Sequence, residues 1–229
     1  MMFCFVVILI IFKALSFAAK VAFFNAQNGI VFNAIPGTFS NAYLHTKGKR
    51  SPDGRLLEYL ENRIIARGIV DALTARGLDA SLLVPEETDI SLPERCRRVN
   101  EWCRQLGRQN VILISIHCNA AGHGDRWLSA RGWCAYTTPG TTGADALATA
   151  FYNAAKAHLP GMRLRTDYTD GDPDLEKDFY LLRHTICPAV LTENLFMDNH
   201  EDCDFLLSKE GQQSLVDLHI DGIISYLGV

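Results

Sequence analysis

Residues 111–116 read Val-Ile-Leu-Ile-Ser-Ile and run directly into His117. An almost unbroken apolar run of this length lacks the in–out alternation of a half-solvated strand, and it suits a strand buried on both faces. Such a strand needs helices on each side, and the chain supplies them. Leu57, Leu60, Ile64, Ile65, Ile69 and Leu73 recur at helical spacing, which predicts a helix over 56–76. Gly77 is its expected stop, and Gly68 inside it costs ~1 kcal/mol against alanine. Ser91-Leu92-Pro93-Glu94 is a capping-box pattern that opens a second helix carrying Val99, Trp102, Cys103 and Leu106. Further helices are expected over 144–157 and 210–227. Strands are expected over 20–25, 80–84, 132–137 and 189–192, with long loops at 26–54 and 160–176. This alternation argues for a single α/β domain, a mostly parallel central sheet with helices on both faces.

At 229 residues the chain can bury a sizeable core in one domain. A net charge of −4 argues against a protein that wraps nucleic acid. Residues 1–12 are almost wholly apolar, a run of about ten residues that is too short to span a bilayer comfortably. It suits a signal-peptide core with a cut near Ala19, although no positive charge precedes it. The alternatives are a buried first strand or an atypical N-terminus, and the domain proper is taken as 20–229. The seven cysteines include no Cys-x-x-Cys pair, so a zinc knuckle is not expected. Cys96 and Cys103 share a helix face but lie too far apart along it to bridge. Most cysteines read as small core residues.

In open α/β sheets, ligands bind beyond the carboxyl ends of the strands. His117 follows one buried strand and Glu193 follows another, in Pro188-Ala189-Val190-Leu191-Thr192-Glu193. Imidazole suits zinc, and a carboxylate can serve as ligand or base. The same two residues could equally be a hydrogen-bonded histidine and a surface glutamate. Cys118 beside His117 is a poor nucleophile–base pair, because neighbours on a strand point to opposite faces.

At these residues the sequence resembles the zinc-dependent N-acetylmuramoyl-L-alanine amidases of the amidase 3 type, over about residues 48–227. Ser115 to Ala120 matches the family's Ser-x-His-x-Asn-Ala motif, whose histidine binds zinc. Pro188 to Glu193, with Phe196 and Asn199, matches a later motif whose glutamate is the catalytic carboxylate. The resemblance implies Glu58 as a second zinc ligand at the start of the first long helix, eight residues before Ala66, with Glu61 as the competing choice. It implies a zinc cofactor and a peptidoglycan substrate, both glycan strand and stem peptide, cut between the muramoyl group and L-alanine. It also implies action in the periplasm, cell wall or extracellular space. Zinc would acidify a bound water, and Glu193 would move its proton to the leaving amine.

One departure matters. The family's first ligand is a histidine in an Asp-x-Gly-His-Gly turn, and the matching stretch here is Asn25-Ala26-Gln27-Asn28-Gly29. Asn28 is a poor zinc ligand. His45, in the same long loop, is the replacement considered; it is otherwise an exposed loop histidine. Without a third ligand, the alternative is an amidase-fold protein that binds cell wall without cutting it. Asp167, Asp170, Asp172 and Asp174 read either as stem-peptide contacts or as a solvated acidic loop.

Overall fold

The computed structural model describes residues 6–11, 30–33, 49–86 and 89–229. The strand expected over 20–25 lies outside the described residues, as does most of the loop over 26–54.

The strands are β1 (Val6–Ile11), β2 (Ile30–Asn33), β3 (Ala80–Val84), β4 (Val111–Asn119), β5 (Cys134–Thr137), β6 (Leu175–Glu176) and β7 (Ala189–Phe196). The helices are α1 (Glu58–Ala75), α2 (Leu92–Leu106), α3 (Asp145–His158), the one-turn α4 (Tyr180–Arg183), α5 (His200–Leu207) and α6 (Lys209–Leu227). They build one α/β domain around a seven-stranded sheet of order β2-β3-β1-β4-β7-β5-β6. β2, β3, β4 and β7, four of the seven strands, share one direction. β1 pairs antiparallel with both β3 and β4, and β5 pairs antiparallel with β7 while running parallel to β6. Residues 6–11, read from sequence as a signal core or a buried first strand, are a strand of this sheet.

β4 shows why the fold is layered. Ile112, Ile114, Ile116 and Cys118 face the larger core, with α1, α3 and α6. Val111 and Leu113 face the second core, with α2 and α4. Period-two alternation divides one apolar run between two helical layers. Gly68 has a packing reason: a Cβ there would meet Val216 Cγ2 at 2.8 Å, so the glycine lets α1 and α6 approach. Gly77, at φ +78°, ends α1 by taking the left-handed turn.

Several local expectations change. Ser91 Oγ does accept the Glu94 amide at 3.5 Å, but the Glu94 carboxylate turns to Arg97 and Arg98 instead of reaching back. Two strongly charged partners one turn away outcompete a backbone N–H. The loop over 160–176 ends in β6, and α4 and α5 are additional short helices. α5 starts where Asn199 Oδ1 accepts the Asp202 amide at 3.2 Å, a capping signal that apolar periodicity does not carry. The 111–116 and 189–192 strands extend to Asn119 and Phe196, so His117 and Glu193 stand inside strands.

Candidate active site

β4 and β7 pair in parallel, with His117 directly opposite Glu193. On one face of the pair, Val111, Leu113, Ser115 and His117 follow one another along β4, and Ala189, Leu191 and Glu193 along β7. The row begins apolar, over the second core, and turns polar at its carboxyl end. Beyond that point the register slips: two steps from His117 to Asn119 oppose three from Glu193 to Phe196. The extra residue makes a bulge, and inside it Leu195 takes a φ of 65°, a left-handed conformation rare for a branched apolar side chain.

The bulge aims Asn194. Its Nδ2 donates to the His117 carbonyl at 3.0 Å, and its Oδ1 accepts from Trp133 Nε1 at 2.9 Å. Asn194 is fully buried, so the bond fixes the backbone that carries the histidine. Ser115 Oγ lies 2.9 Å from His117 Nε2. That contact leaves Nδ1 facing the start of α1, where Glu58 Oε1 lies 3.3 Å away. Asn62 Nδ2, one turn further along α1, donates to the same Glu58 oxygen at 3.4 Å.

Glu58 and His117 are both 4% exposed. Burial pushes the Glu58 carboxyl up to about 8 and pulls the His117 imidazole down to about 4. Burial thus disfavours the charged form of each partner. Glu193 is raised to about 7, mainly by burial; His117 opposes the shift and the Glu58 charge adds to it. Glu193 Oε2 is buried without a hydrogen-bond partner among the described residues.

The fold thus brings Glu58, His117 and Glu193 together from three separate elements. Glu61, the competing choice, turns elsewhere: Gln212 Nε2 donates to its Oε2 at 3.1 Å. Cys118 points away from His117 and donates to Asn62 Oδ1 at 3.3 Å, and burial raises its thiol well above the usual range. It supplies no thiolate. The six cysteines among the described residues are all free, including Cys96 and Cys103. His45 and Asn28 lie outside the described residues. Asp174, expected on a solvated loop, is 2% exposed. Asn62, Ser115 and Asn194 received no role from sequence. Ser115 and Asn194 lie beside His117 and Glu193 in the sequence, which is the one signal that marks them.

The arrangement passes a geometric test for a tetrahedral zinc ion. Two ligands bonded at about 2.0–2.1 Å with a tetrahedral angle stand about 3.3–3.4 Å apart, and the Glu58 and His117 atoms are 3.3 Å apart. A mixed carboxylate and imidazole donor set is also one that zinc accepts.

A family model for N-acetylmuramoyl-L-alanine amidase matches residues 44–225. The chain is 29% identical over 147 residues to the N-acetylmuramoyl-L-alanine amidase CwlM of Bacillus licheniformis, covering 63% of this chain and 50% of that protein. It is 25% identical over 169 residues to the endolysin of Bacillus phage SPP1, covering 72% of this chain and 56% of that one. The chain spans about half the length of these curated relatives. Among solved structures, an N-acetylmuramoyl-L-alanine amidase from Clostridium difficile 630 superposes with a TM-score of 0.65 at 24% identity, over 84% of this chain and 94% of that one. That likeness is one of fold. With the match running through nearly all of the described domain, the chain belongs to the N-acetylmuramoyl-L-alanine amidase family.

Proposed function

We propose that this chain hydrolyses peptidoglycan, cutting the amide between N-acetylmuramic acid and L-alanine, with Glu58 and His117 as zinc ligands and Glu193 as the catalytic carboxylate. The observation that carries the reading is the meeting of Glu58 Oε1 with His117 Nδ1 at 3.3 Å beside the register-paired Glu193. Bound there, zinc supplies a Lewis acid for the amide carbonyl and an acidified water. The chain's own residues do the rest. Ser115 takes the Nε2 proton of His117, which leaves the Nδ1 lone pair turned toward the metal. Asn194 and Asn62 hold the His117 backbone and the Glu58 carboxyl in place. Glu193 Oε2, free of other partners among the described residues, accepts the proton of the attacking water and delivers it to the leaving amine.

His45 is proposed as the third protein ligand in place of the histidine that Asn28 lacks. The substrate places this activity at the cell wall, outside the cytoplasmic membrane. No helix among the described residues is long and apolar enough to cross a membrane.

The test is release of stem peptides from purified sacculi by zinc-loaded protein. Turnover that stops on chelation and returns with zinc is the expected result. Sacculus binding with no peptide release, in protein that takes up no zinc, would overturn the reading in favour of a wall-binding relic, the outcome that Asn28 favours. His45→Ala should lower zinc occupancy; full occupancy removes His45 from the ligand set.

A further inference from the structure

Thr137, the last residue of β5, donates from Oγ1 to Asp174 Oδ2 at 2.5 Å. The Asp174 side chain is almost completely buried, at 2% exposure, and its other oxygen, Oδ1, has no hydrogen-bond partner among the described residues. Two further carboxylates converge on it. Asp145 opens α3 and is held by Thr142, whose amide and Oγ1 each donate to it at 2.7 Å. Asp172 lies two residues before Asp174 and accepts its amide at 3.4 Å. One carboxylate oxygen from each of the three lies within 4.8 Å of the others.

Two oxygens bound to one calcium ion at about 2.4 Å can be no more than about 4.8 Å apart, so three atoms spaced like these fit a single coordination sphere. Among the described residues no lysine or arginine forms a salt bridge with any of the three. Gathering three like charges around a desolvated, unpartnered oxygen is costly unless a counter-charge accompanies them. Every donor is a carboxylate oxygen, with no imidazole or thiolate, and that selects a hard divalent cation over zinc.

We propose that Asp145, Asp172 and Asp174 bind one hard divalent cation of the calcium class, which fastens the segment over 166–176 to the end of β5 and the start of α3. Asp174 Oδ1 is the buried anchor, and Asp145 and Asp172 close on the ion from the more open side, with water completing the shell. The segment so fastened begins beside the other site. Arg165 donates its amide to the Trp133 carbonyl at 2.8 Å, and its guanidinium lies 5.0 Å from the centre of the Phe196 ring at the end of β7. The cation holds the foot of a segment whose upper end borders the cleft. The proposal does not depend on the amidase reading.

The test uses full-length protein stripped of metal and reloaded with zinc, titrated with calcium at pH 8. A saturable calorimetric signal near one ion per chain, with a rise in Tm, is expected. Asp172→Asn should abolish both while the fold and zinc content stay unchanged, since Asp174 keeps its bond to Thr137. Asp174→Asn is the second variant, and folded protein with no calcium response is expected. Folded wild-type protein that gives neither heat nor a Tm shift with calcium or magnesium would overturn the proposal, as would calcium binding unchanged in both variants. A Tm that rises on acidification from pH 8 yet ignores calcium would assign the cluster to a shared proton and overturn it as well.

Discussion

Two groups of carboxylates, each with a buried member, flank β5, and they differ in donor atoms and in what carries them. Glu193 stands opposite Cys134 at the start of β5. Asp174 bonds to Thr137 at its end, three residues further along. The first group joins two carboxylates to an imidazole, with His117 and Glu193 fixed by a parallel ladder and a bulge. The second is all oxygen and is carried by a loop and the first turn of a helix. Rigid strands place groups to within the tolerance chemistry needs, while oxygen-only loops suit an ion whose task is to hold chain together. Burial alone therefore does not mark a reactive carboxylate. What separates the two groups is a nitrogen donor and a ladder beneath it.

The comparison breaks most sharply at Glu193. Glu193→Gln should lower peptide release by about 10²–10⁴-fold, the worth of a positioned acid–base group, with zinc content intact by elemental analysis. Loss of metal instead would make Glu193 a ligand. His117→Ala should lose zinc yet keep the calcium-dependent rise in Tm. A variant that loses both responses would show one coupled site where two are drawn.

Asn194→Ala removes the bonds to the His117 carbonyl and to Trp133 Nε1, for a loss of about 1–3 kcal/mol, read by denaturant unfolding. Unchanged stability would remove Asn194 from its positioning role.

The pH response of the metal-free protein tests both groups together. Glu58 and Asp174 are raised to about 8 and Glu193 to about 7, chiefly by burial. An acid whose folded value exceeds its unfolded one contributes stability at low pH, and that contribution is lost as pH climbs toward the folded value. His117 and His219 are lowered to about 4. Their contribution is complete above the unfolded histidine value and declines only as pH falls toward 4. Between pH 6.5 and 8 the histidine contribution is complete while these carboxylates are still losing theirs, and Tm without metal should fall. Zinc and calcium together should flatten that fall. A metal-free Tm constant over the interval would mean that solvent reaches these acids. The smallest expected effect is Cys118→Ala, which should leave the turnover rate unchanged, because its thiol faces Asn62.

Much of the fold is legible in order of residues. The VILISI run, the apolar spacing on α1 and the alternation of strand and helix each report a local periodicity, and burial follows periodicity. His117 and Glu193 are legible because each directly follows an apolar run, within a short motif. Other features depend on distant partners. α5 rests on one capping bond, β6 is a strand only because β5 lies beside it, and Glu94 left its capping box for two arginines. The acidic run over 167–174 reads as solvated because nothing local shows that Thr137 and Asp145 will cover Asp174.

By itself the sequence determined a layered α/β chain of the amidase family and the residue types its chemistry uses. Tertiary structure decided that Glu58 rather than Glu61 meets His117, that Asn194 holds the histidine's backbone, and that Asp174 is buried. Hydrophobic periodicity is written within a few turns of chain, whereas an angstrom-scale meeting of three side chains depends on strand register, a bulge and the seating of a helix from elsewhere.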